Sequence, residues 1–343
     1  MVIGSVEKIR CSLKWILLHI VAFFGTCFCM AQKPVVVDIA GHGDFVSIQE
    51  AINSMTDDAK VQRVIFVKNG EYNEKLLIEK NNILIKGESR LKVVITQAIS
   101  RDEFRCDHAD DWGVATVNVN GNDVTLANMT IRNSFGFDFS TEKIIPCVND
   151  TAKHEKKITK TGHQMALRTM KATRFAAVNC TFSSYGGDTV SPWNVDNGYF
   201  YFKNCRIEGG VDLYCPRGWA WADSCEFYAY NGTAILWHDG SKHKESISVL
   251  NQCSFDGYKD FYLGRYHRDA QMLLMNCRFS DHMRDSAIYH VTKSTDANWG
   301  NRIYYKNCKK ESGKYNWFSD SSENTMEVEL AILKKWMATI IIN

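Results

Sequence analysis

Asp188 and Asp212 stand 24 residues apart, and a short phrase of asparagine, cysteine, any residue and an aromatic or aliphatic residue recurs through the chain at nearly that interval. If the chain coils with that period, the two carboxylates stack on neighbouring rungs, roughly 4.8 Å apart. Two carboxyl groups so close cannot both ionise freely, so one is suited to act as a nucleophile and the other as an acid. A carboxylate can attack an ester carbonyl to give an anhydride, while its partner protonates the departing alcohol and then activates water. Gln164 lies a further 24 residues before Asp188 and completes a column, where an amide could donate to the developing oxyanion. The bland alternative is that both aspartates are turn residues in glycine-rich loops. Only their shared place in the repeat argues otherwise.

The repeat must supply the scaffold. It reads Asn179-Cys180-Thr181-Phe182, Asn204-Cys205-Arg206-Ile207, Ser224-Cys225-Glu226-Phe227, Gln252-Cys253-Ser254-Phe255, Asn276-Cys277-Arg278-Phe279 and Asn307-Cys308, with an earlier cousin at Asn128-Met129-Thr130-Ile131. From Cys180 the spacings are 25, 20, 28, 24 and 31. An irregular period in the twenties, with inward apolar residues alternating with outward polar ones, predicts a solenoid of parallel β-coils. Leucine-rich repeats share the period, but their recurring leucine pattern is absent. The fold class expected is all-β, a single-stranded parallel β-helix with a short N-terminal capping helix.

At 343 residues the chain can form one elongated domain, because each coil contacts only its neighbours. Residues 1–14 carry Lys8, Arg10 and Lys14, and the 16 residues from 15 to 30 are almost wholly apolar. That run is short for a membrane span and ends in small residues, so a cleaved signal peptide over 1–31 is expected, followed by a catalytic domain over 32–310 and a C-terminal cap or tail over 311–343. Secretion or export to a periplasm follows, with no stable membrane span after cleavage. Of 12 cysteines, three fall in the leader, and an odd number cannot be fully paired. Six of the remainder occupy the inward position of the repeat, which predicts a ladder of buried thiols. Cys106 and Cys147 lie off the pattern and could pair in an oxidising compartment. No cysteine or histidine spacing suits zinc. With 41 basic and 39 acidic residues, the chain has no electrostatic footprint for nucleic acid.

Ser47 followed by Glu50 forms a capping-box pattern, and Ile48, Ala51, Ile52 and Met55 share one helical face, so a short helix is expected to plug the first coil. Val64 to Val67, Leu76 to Ile78 and Ile83 to Ile85 read as the first strands. Residues 135–162 lack the repeat and are rich in lysine, as an insertion or long loop would be.

Five short segments, in order, resemble those of the pectinesterases, or pectin methylesterases. Gly70-Glu71-Tyr72-Asn73-Glu74, Gln164-Met165-Ala166-Leu167, Asp188-Thr189-Val190, Gly210-Val211-Asp212-Leu213 and Leu263-Gly264-Arg265 carry the resemblance, which covers residues 35–308. It implies a right-handed parallel β-helix, a methyl-esterified polyuronide such as pectin as substrate, and no cofactor or metal; a monomer is expected. It also implies roles: Asp212 as nucleophile, Asp188 as acid and then base, Gln164 as oxyanion donor, and Arg265 as the cation that orients Asp212. Glu71 and Glu74 are expected to be structural.

Two departures stand out. The family has glutamine immediately before the acid–base aspartate, where this chain has Gly187, and Pro-Trp after the arginine, where it has Tyr266-His267. A backbone N–H near Gly186-Gly187, or His267, is the expected substitute donor, and the glycine pair suggests backbone angles closed to other residues. Trp193, Trp219 and Trp221, with Tyr266 and His267, are the candidate sugar-binding residues, although tryptophan is more often buried structure. Two further readings use the same fold. A uronide lyase would need a calcium cluster that the column is too sparse to supply, and a catalytically altered polysaccharide-binding protein would be marked by the loss at Gly187. Methanol release from esterified pectin, assayed with unsaturated product and with chelator, separates them.

Overall fold

The chain divides into two units, residues 1–32 and 33–343. The computed structural model describes residues 33–57, 60–139, 141–291, 298–315, 317 and 337. The expected signal peptide and most of the C-terminal tail therefore lie outside the described residues.

The coils lay their parallel strands along three faces. One sheet has ten strands, running from Val35–Val37 through Arg63–Val67 and Trp219–Asp223 to Arg302–Lys306. A second has nine, from Gly70–Tyr72 through Thr181–Ser184 to Lys309–Lys310. The third face is broken. Leu76–Ile78, Val117–Val119, Leu167–Thr169 and Val190–Ser191 form one block, while Ala234–His238, Tyr262–Tyr266 and Tyr289–His290 form another. Between the blocks the ladder shrinks to single bridges, Val190 to Tyr214 to Leu236. The solenoid expected from the repeat is a right-handed parallel β-helix, the hand that parallel crossovers take almost without exception.

The repeated phrase now has a local cause. Asn128, Asn179, Asn204, Ser224, Gln252, Asn276 and Asn307 all hold φ between 51° and 61°. Asparagine tolerates this left-handed region better than other side chains, and from Asn128 onward one such residue in each coil turns the chain from the ten-stranded into the nine-stranded sheet. The amides also stack: Asn179 Nδ2 donates to Asn128 Oδ1 at 2.6 Å, and Asn307 Nδ2 to Asn276 Oδ1 at 3.4 Å. The next residue points inward. Cys180, Cys205, Cys225, Cys253, Cys277 and Cys308 are buried free thiols, as expected. From Cys205 onward each S–H donates to a carbonyl of the preceding coil, as Cys205 does to Ala177 at 3.4 Å and Cys277 to Leu250 at 3.3 Å.

Two residues further on, Phe182, Ile207, Phe227, Phe255 and Phe279 are in register on consecutive coils. Phe227 stacks on Phe255 at 4.9 Å, and Phe255 meets Phe279 at 5.5 Å. Each such side chain contributes about 1.5–3 kcal/mol by leaving water. This column forms the axis of the core.

The plugging helix is Ile48–Asn53, with Ser47 as its N-cap accepting from Glu50 N–H at 3.2 Å. Ile48, Ala51, Ile52 and Met55 are buried against the first coil. Glu74 reaches across from the third face and accepts from the N–H groups of Ile48 and Gln49, both at 3.0 Å. A carboxylate at the positive end of the helix is the structural role expected for it. Residues 135–162 hold more order than a long loop. They contain a one-turn helix, Phe135–Asp138, and an antiparallel hairpin of Lys143–Pro146 with Glu155–Ile158. A Cys106–Cys147 disulfide ties the hairpin to the preceding loop.

Candidate active site

The seam in the third face is where the two aspartates sit. Bridges join His163 to Gly187 and Gly187 to Val211, so Gln164, Asp188 and Asp212 follow in one register. The backbone bonds continue it: Gln164 N–H to Gly187 O at 2.9 Å, Asp188 N–H to Val211 O at 3.1 Å, and Asp212 N–H to Ala234 O at 2.7 Å. Asp188 and Asp212 both take positive φ, 57° and 51°. A conformation that costs free energy for most side chains, repeated on neighbouring coils, aims both carboxylates to one side.

Arg265 arrives from strand Tyr262–Tyr266. Its Nε donates to Asp212 Oδ1 at 3.1 Å and its Nη2 to Asp212 Oδ2 at 2.7 Å. The side chains of Asp188 and Asp212 retain only 13% and 7% of their exposure. Burial pushes the Asp212 carboxyl up from its usual range and the charge of Asp188 adds to this, while the Arg265 contact pulls the other way; the net is upward. A two-pronged arginine contact uses both oxygens as acceptors, so it is made to the ionised form. Burial and ion pair together give a desolvated carboxylate held in one orientation.

Cys215 closes the floor beneath the pair. Its S–H donates to Asp212 O at 2.8 Å, and the sulfur lies 3.6 Å from Asp188 Oδ1. Burial pushes this thiol well up, and the neighbouring carboxylate of Asp188 pushes it further. It is a neutral wall rather than a second nucleophile.

Gln164 differs from expectation. Its side chain has no exposed surface. Oε1 accepts from Gly136 N–H at 2.9 Å and Gly186 N–H at 3.3 Å, and Nε2 donates to Lys160 O at 2.5 Å. An enclosed amide engaged with three backbone groups cannot face a substrate, so Gln164 ties the loops on either side of the groove instead of donating into it.

The glycine pair also differs. Neither Gly186 nor Gly187 has positive φ, so backbone conformation is not what excludes a side chain there. Space is. A Cβ at Gly186 would lie 2.0 Å from Gly162 O and 2.6 Å from Gln164 Nε2; one at Gly187 would lie 2.9 Å from Val211 Cγ1 and 3.1 Å from His163 Cδ2.

The expected sugar-binding residues separate. Trp193 lines the third face, with the guanidiniums of Arg168 and Arg217 at 4.8 and 4.4 Å from its ring. His267 is on that face too, 3.5 Å from Asp239, with its ring 4.5 Å from Trp237. Trp219 and Trp221 are elsewhere. Both belong to strand Trp219–Asp223 of the ten-stranded sheet and to an outer apolar cluster with Tyr201, Val249 and Leu273, against which Met337 packs. Strand alternation turns Tyr266 inward, and it is buried in the main core. None of these three can touch a ligand bound at Asp188 and Asp212.

Trp237 escaped the sequence reading. It pairs in register with Arg265 on the adjacent strand and lies 5.1 Å from its guanidinium, half-buried. Its place 25 residues after Asp212 was the available signal. His163 was likewise missed, with Nε2 at 3.6 Å from Asp188 Oδ1. Behind the floor, Asp111 binds Arg101 at 3.0 Å, Arg168 at 3.3 Å and Arg105 at 3.4 Å. Burial alone would raise this carboxyl, but the three guanidiniums overcome it and the net is downward. Among the described residues, no group of three or more His, Cys, Asp or Glu side chains is placed to hold a metal ion.

Comparison with known proteins gives one consistent likeness. The pectinesterase family model matches residues 34–169. Putative pectinesterase 11 of Arabidopsis thaliana is 30% identical over 236 residues, which cover 67% of this chain and 57% of that protein. The chain thus spans under two thirds of that relative's length. Among solved structures, pectin methylesterase from carrot superposes with a TM-score of 0.70 at 19% identity, covering 91% of this chain and 98% of that one. Pectin methylesterase PemA from Erwinia chrysanthemi gives 0.68 at 20% identity, covering 90% and 99%.

Proposed function

We propose that this chain, which belongs to the pectinesterase family, hydrolyses methyl esters of polygalacturonate to free carboxylate and methanol. The observation that carries the reading is the Asp212–Arg265 pair beside Asp188: an oriented, desolvated carboxylate with a second carboxyl next to it.

Asp212 is the nucleophile. One of its oxygens attacks the ester carbonyl carbon, the carbonyl electron pair moves to oxygen, and collapse expels methoxide. Asp188 delivers the proton that makes methanol, leaving an anhydride between Asp212 and the uronate. Asp188, now a carboxylate, takes a proton from water as it attacks the anhydride. That step releases the uronic acid, regenerates Asp212 and returns the proton to Asp188. Arg265 keeps Asp212 ionised and fixed, and Trp237 and Trp193 offer ring faces along the groove on which sugars can stack.

Residues 32–310 form the catalytic domain in this reading, acting as a monomer outside the cytoplasm. The leader-like sequence over 1–31 and the Cys106–Cys147 disulfide support an oxidising compartment. The test is to incubate the protein with highly methylated pectin and follow methanol, titratable acid and unsaturated product together. Equimolar methanol and acid without unsaturated product, unaffected by chelator, is the expected result. Unsaturated product lost on chelation would replace this reading with a lyase, and binding without any product would replace it with a polysaccharide-binding protein.

A further inference from the structure

Attack on an ester carbonyl puts negative charge on its oxygen, and a site that lowers this barrier must aim a hydrogen-bond donor there. Most of the obvious donors are already engaged. The Gln164 amide is enclosed and bound to backbone, Gly187 has no side chain, and the Cys215 thiol is buried and turned onto Asp212 O. Nε and Nη2 of Arg265 both serve Asp212.

On the Asp188 side stands His163. Its ring is 45% exposed and places Nε2 3.6 Å from Asp188 Oδ1. Its backbone is fixed from two sides, by the bridge to Gly187 and by Arg101 N–H donating to His163 O at 3.0 Å. The ring shares with Val211 the space a side chain at 187 would need, since a Cβ there would come within 2.9 Å of Val211 Cγ1 and 3.1 Å of His163 Cδ2. The missing side chain at 187 and the position of the imidazole are therefore linked: the glycine leaves room that the ring and the Val211 methyl fill together.

We propose that His163 is the oxyanion donor of this site, its ring N–H hydrogen-bonding the carbonyl oxygen of the scissile ester as Asp212 attacks. No proton is transferred in this step. The imidazole keeps its hydrogen while the carbonyl electron pair moves onto oxygen, and the bond shortens as charge accumulates. The inference rests on the esterase reading above.

The experiment compares parent, His163→Ala, His163→Gln and the double variant His163→Ala with Gly187→Gln, measuring kcat, KM and melting temperature on methylated pectin. His163→Ala is expected to lose about 100-fold in kcat with little change in KM, the signature of an interaction made in the transition state. Melting temperature should hold, because the ring is half in solvent. His163→Gln, which keeps an N–H donor, should retain more turnover than His163→Ala and guards against a packing artefact. In the double variant the glutamine enters the space left by the ring, displacing the Val211 methyl that a Cβ at 187 meets at 2.9 Å, and should recover roughly tenfold of the loss. A His163→Ala enzyme within twofold of parental kcat overturns the proposal and leaves the esterase reading standing. A parent that releases no methanol overturns both.

Discussion

Arg265 grips Asp212 through two hydrogen bonds across 53 residues of sequence, Nε to Oδ1 at 3.1 Å and Nη2 to Oδ2 at 2.7 Å. The contact opposes the upward push that burial exerts on the Asp212 carboxyl. Removing it should raise the pKa of that group further. Activity needs the ionised form, so the acidic limb of the kcat/KM profile should move to higher pH in Arg265→Gln. Arg265→Lys should restore the charge but not the two-pronged geometry, leaving kcat roughly tenfold or more below the parent. A pH–rate series on the three proteins checks this, and coincident acidic limbs would contradict it.

Asp188→Asn should release no methanol at a useful rate, because an amide can neither protonate methoxide nor accept a proton from water. General acid–base catalysis is typically worth 10²–10⁴-fold, which sets the expected loss at about that size. Unchanged circular dichroism with parental turnover would place the acid on another residue.

Trp237→Ala should raise KM for long methylated substrates by about tenfold, with one stacking face removed from the groove. Trp219→Ala should leave KM unchanged, since that ring lies on the outer face of the ten-stranded sheet between Tyr199 and His243. Initial-rate kinetics on the two variants decide the matter. A larger KM effect from Trp219 would invert the assignment of faces.

Asp111→Asn should destabilise the fold by about 3 kcal/mol at neutral pH, because it leaves the buried Arg168 guanidinium without its carboxylate. The pKa of Asp111 is lowered in the folded state from the ordinary 3.8. Its contribution is therefore fully present above that value and fades as pH falls through the lower folded one. Denaturant titrations should show the gap between parent and variant constant at neutral and mildly acidic pH and shrinking below about pH 4. A gap that widens on acidification would contradict the ion-pair account.

The fold was legible because the asparagine–cysteine phrase encodes two physical demands of each coil, a left-handed turn residue and a small inward side chain. The stacked aspartates followed from the period alone. What escaped was set by where the chain switches face. Trp219 and Trp221 follow Asp212 closely in sequence, but the intervening turn carries them onto another sheet. Tyr266 is next to Arg265, and strand alternation turns it inward while the arginine points out. Gln164 has the right register, but the fold of residues 135–162, which encloses its amide, had no repeat to betray it. His163 and Gly187 become informative only as a pair, because the meaning of an absent side chain depends on what fills its place.

The central claim is that Asp212 attacks a methyl ester. Its most direct test is the initial rate of methanol release from highly methylated pectin by the parent and by Asp212→Ala at equal concentrations of folded protein. The account predicts steady release by the parent and none above background from the variant, at similar thermal stability. Equal release by the two proteins would contradict it.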